Sequence, residues 1–235
     1  MIEKFPECSK SKVYSKFHLI NEAKPRILIT DNDTVSEIMR YKYTTNTKVC
    51  ALNFASFTSP GGGFLSGCNA QEEGLCHYSN LYETLSLEKE FYSYNKQHTN
   101  SGAYENRAIY SPKVYFSKDE KETYCDIITC AAPNLNYYNN LESKWAGDDK
   151  STQKPFDNSK LLKSRIEFVL DIAEDNEVDV LILGAWGCGV FRQDPKEVAR
   201  YFKELLNNSK YNFRTVIFAI PPGKNHDVFK EVFKL

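Results

Sequence analysis

The sequence predicts an α/β/α sandwich, in which a sheet lies buried between two layers of helices. Short apolar runs alternate along the chain with segments of helical periodicity. These runs are continuously apolar rather than alternating, which is typical of strands covered on both faces. The 235 residues are 41% hydrophobic, enough for a sizeable core. We expect a single domain over residues 26–235, preceded by an N-terminal extension of residues 1–25.

The first half of the chain contains two predicted strands and a long predicted helix. Residues 26–30 (RILIT) form a β-branched run, followed by turn and N-cap residues before the helical segment VSEIMRY. Residues 48–55 (KVCALNFA) predict a buried strand. Leucines and tyrosines at helical spacing then predict one amphipathic helix over residues 71–92.

The second half continues the alternation of strands and helices. Strands are predicted over residues 108–116 and 124–131, joined by the charged turn KDEKE, and again over 178–183 and 213–220. Helices are predicted over residues 159–176, 195–206 and 227–235, with Asp194 as a cap and Pro195 in the first turn. The polar stretch 133–159 is predicted to be a long loop.

The charge balance excludes a general electrostatic attraction to polyanions. Thirty basic and 31 acidic residues give a net charge of −1, so we expect neither direct DNA binding nor membrane association. No apolar stretch has the length of a signal peptide or of a membrane span. Any anionic ligand must therefore be held by local groups.

The cysteines indicate a reducing compartment. The chain has seven, an odd number, widely scattered and without a CxxC pair, which favours free thiols over disulfides. We therefore expect a cytoplasmic protein, or a nuclear one in a eukaryote. Cys68, Cys76 and His77 could be imagined as metal ligands, but no second pair stands at finger spacing, and we expect no metal and no cofactor.

Two glycine-rich segments each follow a predicted strand and precede a predicted helix. Residues 60–63 (PGGG) follow the second strand, and residues 184–189 (GAWGCG) follow the strand at 178–183. In open α/β sheets, ligands bind beyond the carboxyl ends of the strands, and glycine amides there can hold phosphate oxygens. Either segment alone is more often a plain tight turn than a phosphate site. Neither matches the Walker A or the GxGxxG pattern, which argues against those two nucleotide-binding classes.

An acid pair follows the first glycine segment. Glu72 and Glu73 are adjacent, so on a helix their side chains point about 100° apart and at most one faces a ligand over that segment. Acids in a first helical turn also complement the helix dipole. A partly desolvated glutamate beside a like charge has a raised pKa and can act as a general acid. This pattern suits cleavage of a glycosidic bond on a phosphate-bearing sugar.

The combination resembles a known family. GGG, seven residues and then QEE, between LNFASFTSP and LCHYSNLYETL, resembles the signature of the poly(ADP-ribose) glycohydrolases, most closely their microbial branch, and GAWGCGVFRQDP resembles that branch's second ligand loop. The resemblance implies a macrodomain fold, here a three-layer α/β/α sandwich with a mixed central sheet. It implies a glycosidase that hydrolyses ribose–ribose O-glycosidic bonds, from chain ends, to release ADP-ribose.

The resemblance also implies residue roles. The triple glycine, here Gly61, Gly62 and Gly63, packs against the diphosphate and directs the distal ribose toward Glu73, the general acid/base. Glu72 would hold ribose hydroxyls or orient Glu73. The other implied substrate-binding positions are Asn53, Ser59, Gln71, Gly184, Trp186, Gly187, Cys188, Gly189, Val190 and Phe191.

Some of these positions have a second interpretation. Ser59 stands where the family often has asparagine, which weakens or moves a ribose hydrogen bond. Trp186 could equally fill the core, and Cys188 fits a small loop residue better than a nucleophile, because no basic residue adjoins it. Tyr137 and Tyr138 could stack on adenine or simply lie on the surface.

Two other functions remain open at this stage. The chain could hydrolyse mono-ADP-ribosyl or free ADP-ribose derivatives, or it could be a non-catalytic reader that binds ADP-ribose. A reader needs the glycine loops but no positioned acid, so Glu73 favours an enzyme. ADP-ribosylated proteins are then the expected macromolecular partners.

Overall fold

The computed structural model describes residues 24–41, 47–137, 156–208 and 210–235. Its six strands form one mixed sheet in the order β1-β6-β5-β2-β4-β3. All neighbouring pairs are parallel except β3 and β4, which are antiparallel. The strands are β1 Arg26–Thr30, β2 Val49–Phe54, β3 Ala108–Lys118, β4 Lys121–Cys130, β5 Val180–Leu183 and β6 Thr215–Ala219.

Helices cover both faces of this sheet, as the apolar strands predict. In chain order they are α1 Thr34–Ile38, α2 Gln71–His77, α3 Leu81–Ser86, α4 Lys89–Gln97, α5 Asn158–Asp175, α6 Pro195–Leu206 and α7 Lys224–Phe233. Successive strand side chains point to opposite faces. In β2, Cys50 and Leu52 join the apolar cluster of α5, α6 and α7, whereas Val49 and Ala51 join the cluster of α1 to α4. The predicted α/β class with a mixed sheet is confirmed.

Two predicted caps hold their helices. Asp33 accepts a hydrogen bond from the Ser36 amide at 2.7 Å in α1. Asp194 does the same for the Lys196 amide, also at 2.7 Å, in α6. The predicted charged turn narrows to the two residues Asp119 and Glu120, both with positive φ, so that β3 and β4 extend further than predicted.

The prediction of one helix over residues 71–92 is wrong. The chain instead forms α2, α3 and α4, because residues 78–80 leave the helix and join the free edge of β3. Ser79 bridges Phe116, and the Asn80 side chain accepts a hydrogen bond from the Tyr115 amide at 3.0 Å. Helical periodicity persists in the sequence because these helices pack against the same face of the sheet.

Some predictions concern residues that the structure does not describe. Most of the N-terminal extension (residues 1–23), residues 138–155 of the predicted loop, and Tyr138 lie outside the described residues. The division into an extension and one domain therefore stays a prediction. Within the described ranges, no helix is both long and apolar enough to cross a membrane.

Candidate active site

A cavity of about 1070 Å³ opens at the edge of the sheet where the parallel strands end. The segments after four strands contribute to its wall. They are residues 33–35 after β1, Ser56 with Gly62 and Gly63 after β2, residues 185–187 and 189–191 after β5, and residues 220–225 after β6. The start of α2, residues 71–74, completes it. The cavity lies where ligands bind in open α/β sheets.

Glu73 joins the first glycine segment to the start of α2. One carboxylate oxygen, Oε1, accepts a hydrogen bond from the Gly63 amide at 2.8 Å. The other, Oε2, accepts from the Ala70 amide at 3.2 Å, as an acid at the third helical position does when it caps its own helix. The side chain is 7% exposed and lines the cavity. Its carboxylate is therefore held in one place at the wall.

Glu72 lies deeper and holds different groups. Its Oε1 accepts from Asn53 Nδ2 at 3.2 Å, and its Oε2 accepts from the Ser56 amide at 2.6 Å. Burial raises the pKa of Glu72 to about 8, and these two hydrogen bonds only partly oppose that shift. The raised pKa that the sequence predicts for one acid of the pair thus falls on Glu72, which carries a proton at neutral pH.

Gly62 explains why the chain places glycines ahead of two acids. Its φ is +59°, a left-handed conformation that side chains disfavour. A Cβ at this position would lie 2.6 Å from Glu73 Oε1 and 2.9 Å from Glu72 Oε2. Both carboxyl groups therefore pack directly against the backbone of the glycine segment, in space that any side chain would occupy.

Gln71 anchors this helix to the sheet. Its Oε1 accepts from the Phe54 amide at 2.8 Å, and its Nε2 donates to the Leu52 carbonyl at 2.9 Å. Nε2 also donates to Thr34 Oγ1 at 3.1 Å, which ties in α1. The three residues of QEE thus have separate positions: Gln71 extends the hydrogen bonding of β2, Glu72 is buried, and Glu73 meets the glycine segment.

The second glycine segment contributes backbone and one aromatic ring. Gly187, Gly189, Val190 and Phe191 line the cavity. Trp186 reaches the cavity but is only 1% exposed, and its Nε1 donates to the Cys130 carbonyl at 3.2 Å. Its packing role in the core is therefore clear from the structure.

Five predicted substrate-binding residues do not line the cavity. Gly61 packs toward Tyr82 and Cys76, and Gly184 packs against the Ala219 carbonyl and Phe54. Burial raises the pKa of the Cys188 thiol to about 12, so it is protonated at neutral pH. The other two are Asn53, which is fully buried beneath Glu72, and Ser59.

Cys68, Cys76 and His77, which the sequence offers as conceivable metal ligands, differ in exposure. Cys76 is buried, whereas Cys68 and His77 are exposed. No group of three or more His, Cys, Asp or Glu side chains is arranged to hold a metal ion in the described ranges. The six cysteines described there are free thiols.

Sequence reasoning missed two parts of the wall. Residues 33–35 and 220–225 line the cavity, because β1 and β6 are neighbours that end at the same edge. A third strand-to-helix junction with glycine, PPGKN, marks the second part in the sequence. Tyr78 and Lys118 also line the cavity, through a contact between residues 78–80, which join α2 to α3, and the end of β3, and no local pattern shows this contact.

Fold and site together define a macrodomain-like protein whose ligand cavity contains a positioned pair of acids. The family model of the microbial-type PARG catalytic domain matches residues 6–119. PARG denotes poly(ADP-ribose) glycohydrolase, and solved structures of such enzymes superpose on most of this chain.

Enzymes of two organisms are among the similar structures. The poly(ADP-ribose) glycohydrolase of Thermomonospora curvata is 32% identical, with 90% of this chain and 78% of that chain covered and a TM-score of 0.74. The same enzyme bound to the inhibitor ADP-HPD is 34% identical, with 88% and 78% covered and a TM-score of 0.74. The enzyme of Deinococcus radiodurans in complex with ADP-ribose is 32% identical, with 89% and 84% covered and a TM-score of 0.75.

The chain belongs to the microbial-type poly(ADP-ribose) glycohydrolase family, which confirms the resemblance seen in the sequence. Among curated proteins, none matches the chain closely enough to count as a relative.

Proposed function

We propose that this protein is a poly(ADP-ribose) glycohydrolase in which Glu73 acts as the general acid/base. The observation that carries the proposal is the carboxylate of Glu73, fixed by the Gly63 and Ala70 amides at the wall of the cavity. Family members with ADP-ribose and with the inhibitor ADP-HPD bound support the ligand class. A non-catalytic reader has no use for an acid held in this way.

The negatively charged diphosphate of the substrate must bind close to Glu72 and Glu73, and the net charge of the protein does not attract it. The proton on Glu72 removes one negative charge from the pair at neutral pH, which reduces repulsion of the phosphates. The segment around Gly187 and Gly189 lines the same cavity as the acids and offers it backbone amides. We assign the diphosphate to this segment and to Gly62 and Gly63, and the distal ribose to the space beside Glu73.

A single carboxyl group, that of Glu73, can serve as both the acid and the base in the hydrolysis of the glycosidic bond. As the general acid, Glu73 gives a proton to the oxygen that links the two riboses, and the bond from that oxygen to the anomeric carbon breaks. The ribose passes through an oxocarbenium-like state, next to the negative diphosphate. Glu73, now a carboxylate, takes a proton from the water that adds to the anomeric carbon. The enzyme regains its starting state, and ADP-ribose leaves.

Glu72 contributes to this reaction indirectly, through the residues that it holds in place. It links Asn53, at the end of β2, to the Ser56 amide, where the chain turns toward the glycines. We therefore assign Glu72 a positioning role for the first glycine segment, in addition to its effect on the local charge.

Cleavage from chain ends, ADP-ribosylated proteins as carriers of the substrate, and a cytoplasmic location complete the proposal. The free thiols among the described cysteines suit a reducing compartment. The balanced net charge argues against direct binding to DNA.

The test is product release from labelled, automodified poly(ADP-ribose), with mono-ADP-ribosylated protein as a parallel substrate. Free ADP-ribose as the main product from the polymer supports the proposal. Short oligomers as main products would replace chain-end cleavage by internal cleavage. Release only from the mono-ADP-ribosylated protein, or ADP-ribose binding without any release, would favour the two other functions.

A further inference from the structure

The cavity continues beyond the catalytic acids toward an aromatic and a cationic side chain that the proposed mechanism does not use. We propose that Tyr78 and Lys118, with Gly74 between them and Glu73, form a second subsite. It holds the adenosine phosphate of a neighbouring ADP-ribosyl unit of the same polymer. This inference rests on the proposed function, because it names how more than one unit of that substrate is bound.

The size of the cavity leaves room for more than one ligand unit. Its volume of about 1070 Å³ slightly exceeds the roughly 300–1,000 Å³ of ordinary small-molecule sites. Gly74, Tyr78 and Lys118 line it in addition to the loops after β1, β2, β5 and β6 and the start of α2.

Tyr78 and Lys118 form a pair suited to a nucleotide. The Tyr78 side chain remains 41% exposed although it lines the cavity. The ammonium nitrogen of Lys118 lies 4.9 Å from the centre of the Tyr78 ring. Because Lys118 lies over one face of the ring, the other face can stack on a base, and the lysine can bind the phosphate of the same nucleotide.

The charge of Lys118 is available to a ligand. Its Nζ donates to Ser36 Oγ at 3.0 Å, which holds the ammonium in place and leaves further N–H groups. No carboxylate lies within ion-pair distance of Lys118 in the part of the chain that the structure describes. The nearest acid in this network is Asp33, whose oxygens already accept from the amide and hydroxyl of Ser36.

The empty space next to Gly74 is also consistent with a ligand subsite between Glu73 and Tyr78. It lies inside α2, where glycine is the least favourable residue other than proline. Apart from its chain neighbours and the backbone of its own helix, no atom lies within 4 Å of the Cβ that another residue would have. The fold therefore does not require glycine here. The space that its missing side chain leaves belongs to the cavity, between Glu73 and Tyr78.

Binding, rather than turnover, tests this subsite independently of the reaction. The Glu73→Gln variant serves as the parent, so that short poly(ADP-ribose) oligomers stay intact during calorimetry. We expect oligomers to bind this parent about tenfold more tightly than ADP-ribose does, the contribution of one stacked base with its phosphate. Tyr78→Ala and Lys118→Ala, each added to the parent, should reduce that ratio toward one and leave ADP-ribose affinity unchanged.

Two further variants separate the subsite from general effects of charge or folding. Lys89→Ala removes an exposed lysine from the start of α4, which does not line the cavity, and should keep the tenfold ratio. Gly74→Leu extends a side chain into the cavity from a Cβ that meets no atom beyond its own helix and chain neighbours, and should abolish the ratio while the protein stays folded.

Equal affinity of the parent for oligomers and ADP-ribose would overturn the inference, as would an unchanged ratio in Tyr78→Ala and Lys118→Ala. Two molecules of free ADP-ribose per protein would reassign the subsite to a separate nucleotide. Failure of the wild type to release ADP-ribose would refute the proposed function instead, since the oligomer ratio is measured without turnover.

Discussion

Replacing Gly62 with alanine tests the packing of the acids against the glycine segment. The new methyl group would lie 2.6 Å from Glu73 Oε1, much closer than the 3.5–4.0 Å of a favourable contact. The Glu73 carboxylate must therefore move by about 1 Å. That movement breaks or lengthens its hydrogen bond from the Gly63 amide, which is 2.8 Å in the structure.

The expected effects on stability and on activity differ in size. The left-handed backbone at φ +59° costs a non-glycine residue about 1–2 kcal/mol, and we expect the free energy of unfolding to fall by about that amount. A misplacement of about 1 Å at a catalytic group can reduce the rate about 100-fold. We therefore expect kcat for ADP-ribose release to fall about 100-fold or more.

Gly67→Ala is the matched control. Gly67 lies in the same loop with φ +75°, and a Cβ there would meet no atom within 4 Å. It should lose only the cost of the left-handed backbone, about 1–2 kcal/mol, with kcat within about twofold of wild type. Urea denaturation and initial rates on labelled polymer measure both quantities. Equal kcat values for the two variants would refute the account of Gly62.

Two further predictions concern buried charges. The pKa of Glu72 is about 8 in the folded state and 4.5 in the unfolded state, so the folded state binds more protons between these two pH values. The free energy of unfolding of the wild type should therefore fall as pH rises from about 4.5 to about 8, by on the order of 4 kcal/mol. The Glu72→Gln variant should show little of this pH dependence when urea midpoints are measured between pH 5 and pH 8. A pH dependence equal to that of the wild type would show that Glu72 is not the group with the raised pKa. Arg165 is fully buried and donates to Asn106 Oδ1 and to the Ala131 and Ala103 carbonyls. Arg165→Met removes the donor of all three hydrogen bonds and should lower the free energy of unfolding by about 3 kcal/mol in the same assay. A loss below about 1 kcal/mol would show that the three hydrogen bonds contribute little.

Much of the fold follows from local sequence patterns. The apolar run at residues 48–55 is typical of a strand covered on both faces, and β2 forms there with residues 49–53 buried. Asp33 and Asp194 mark helix starts through their own side chains. The predicted helix over residues 71–92 fails for a non-local reason. The edge of β3 offers hydrogen bonds to Ser79 and Asn80, and that strand lies about 35 residues away.

In the candidate site, too, some features follow from local sequence and others only from the folded structure. Its glycines and acids are adjacent in the sequence, so their motif could be recognised before the structure. The raised pKa of Glu72 depends on burial near Asn53 and Ser56, which only the folded chain creates. Tyr78 and Lys118 meet through the contact of residues 78–80 with β3, so no sequence pattern places them at the cavity.

The central claim is that Glu73 performs the chemistry without being needed for binding. The most direct measurement compares wild type and Glu73→Gln in two assays, ADP-ribose release from labelled polymer and ADP-ribose binding by calorimetry. The account predicts that both proteins bind ADP-ribose within about threefold of each other, while release by Glu73→Gln falls about 1,000-fold or more. Release within about tenfold of wild type, or an equal loss of binding and release, would contradict it.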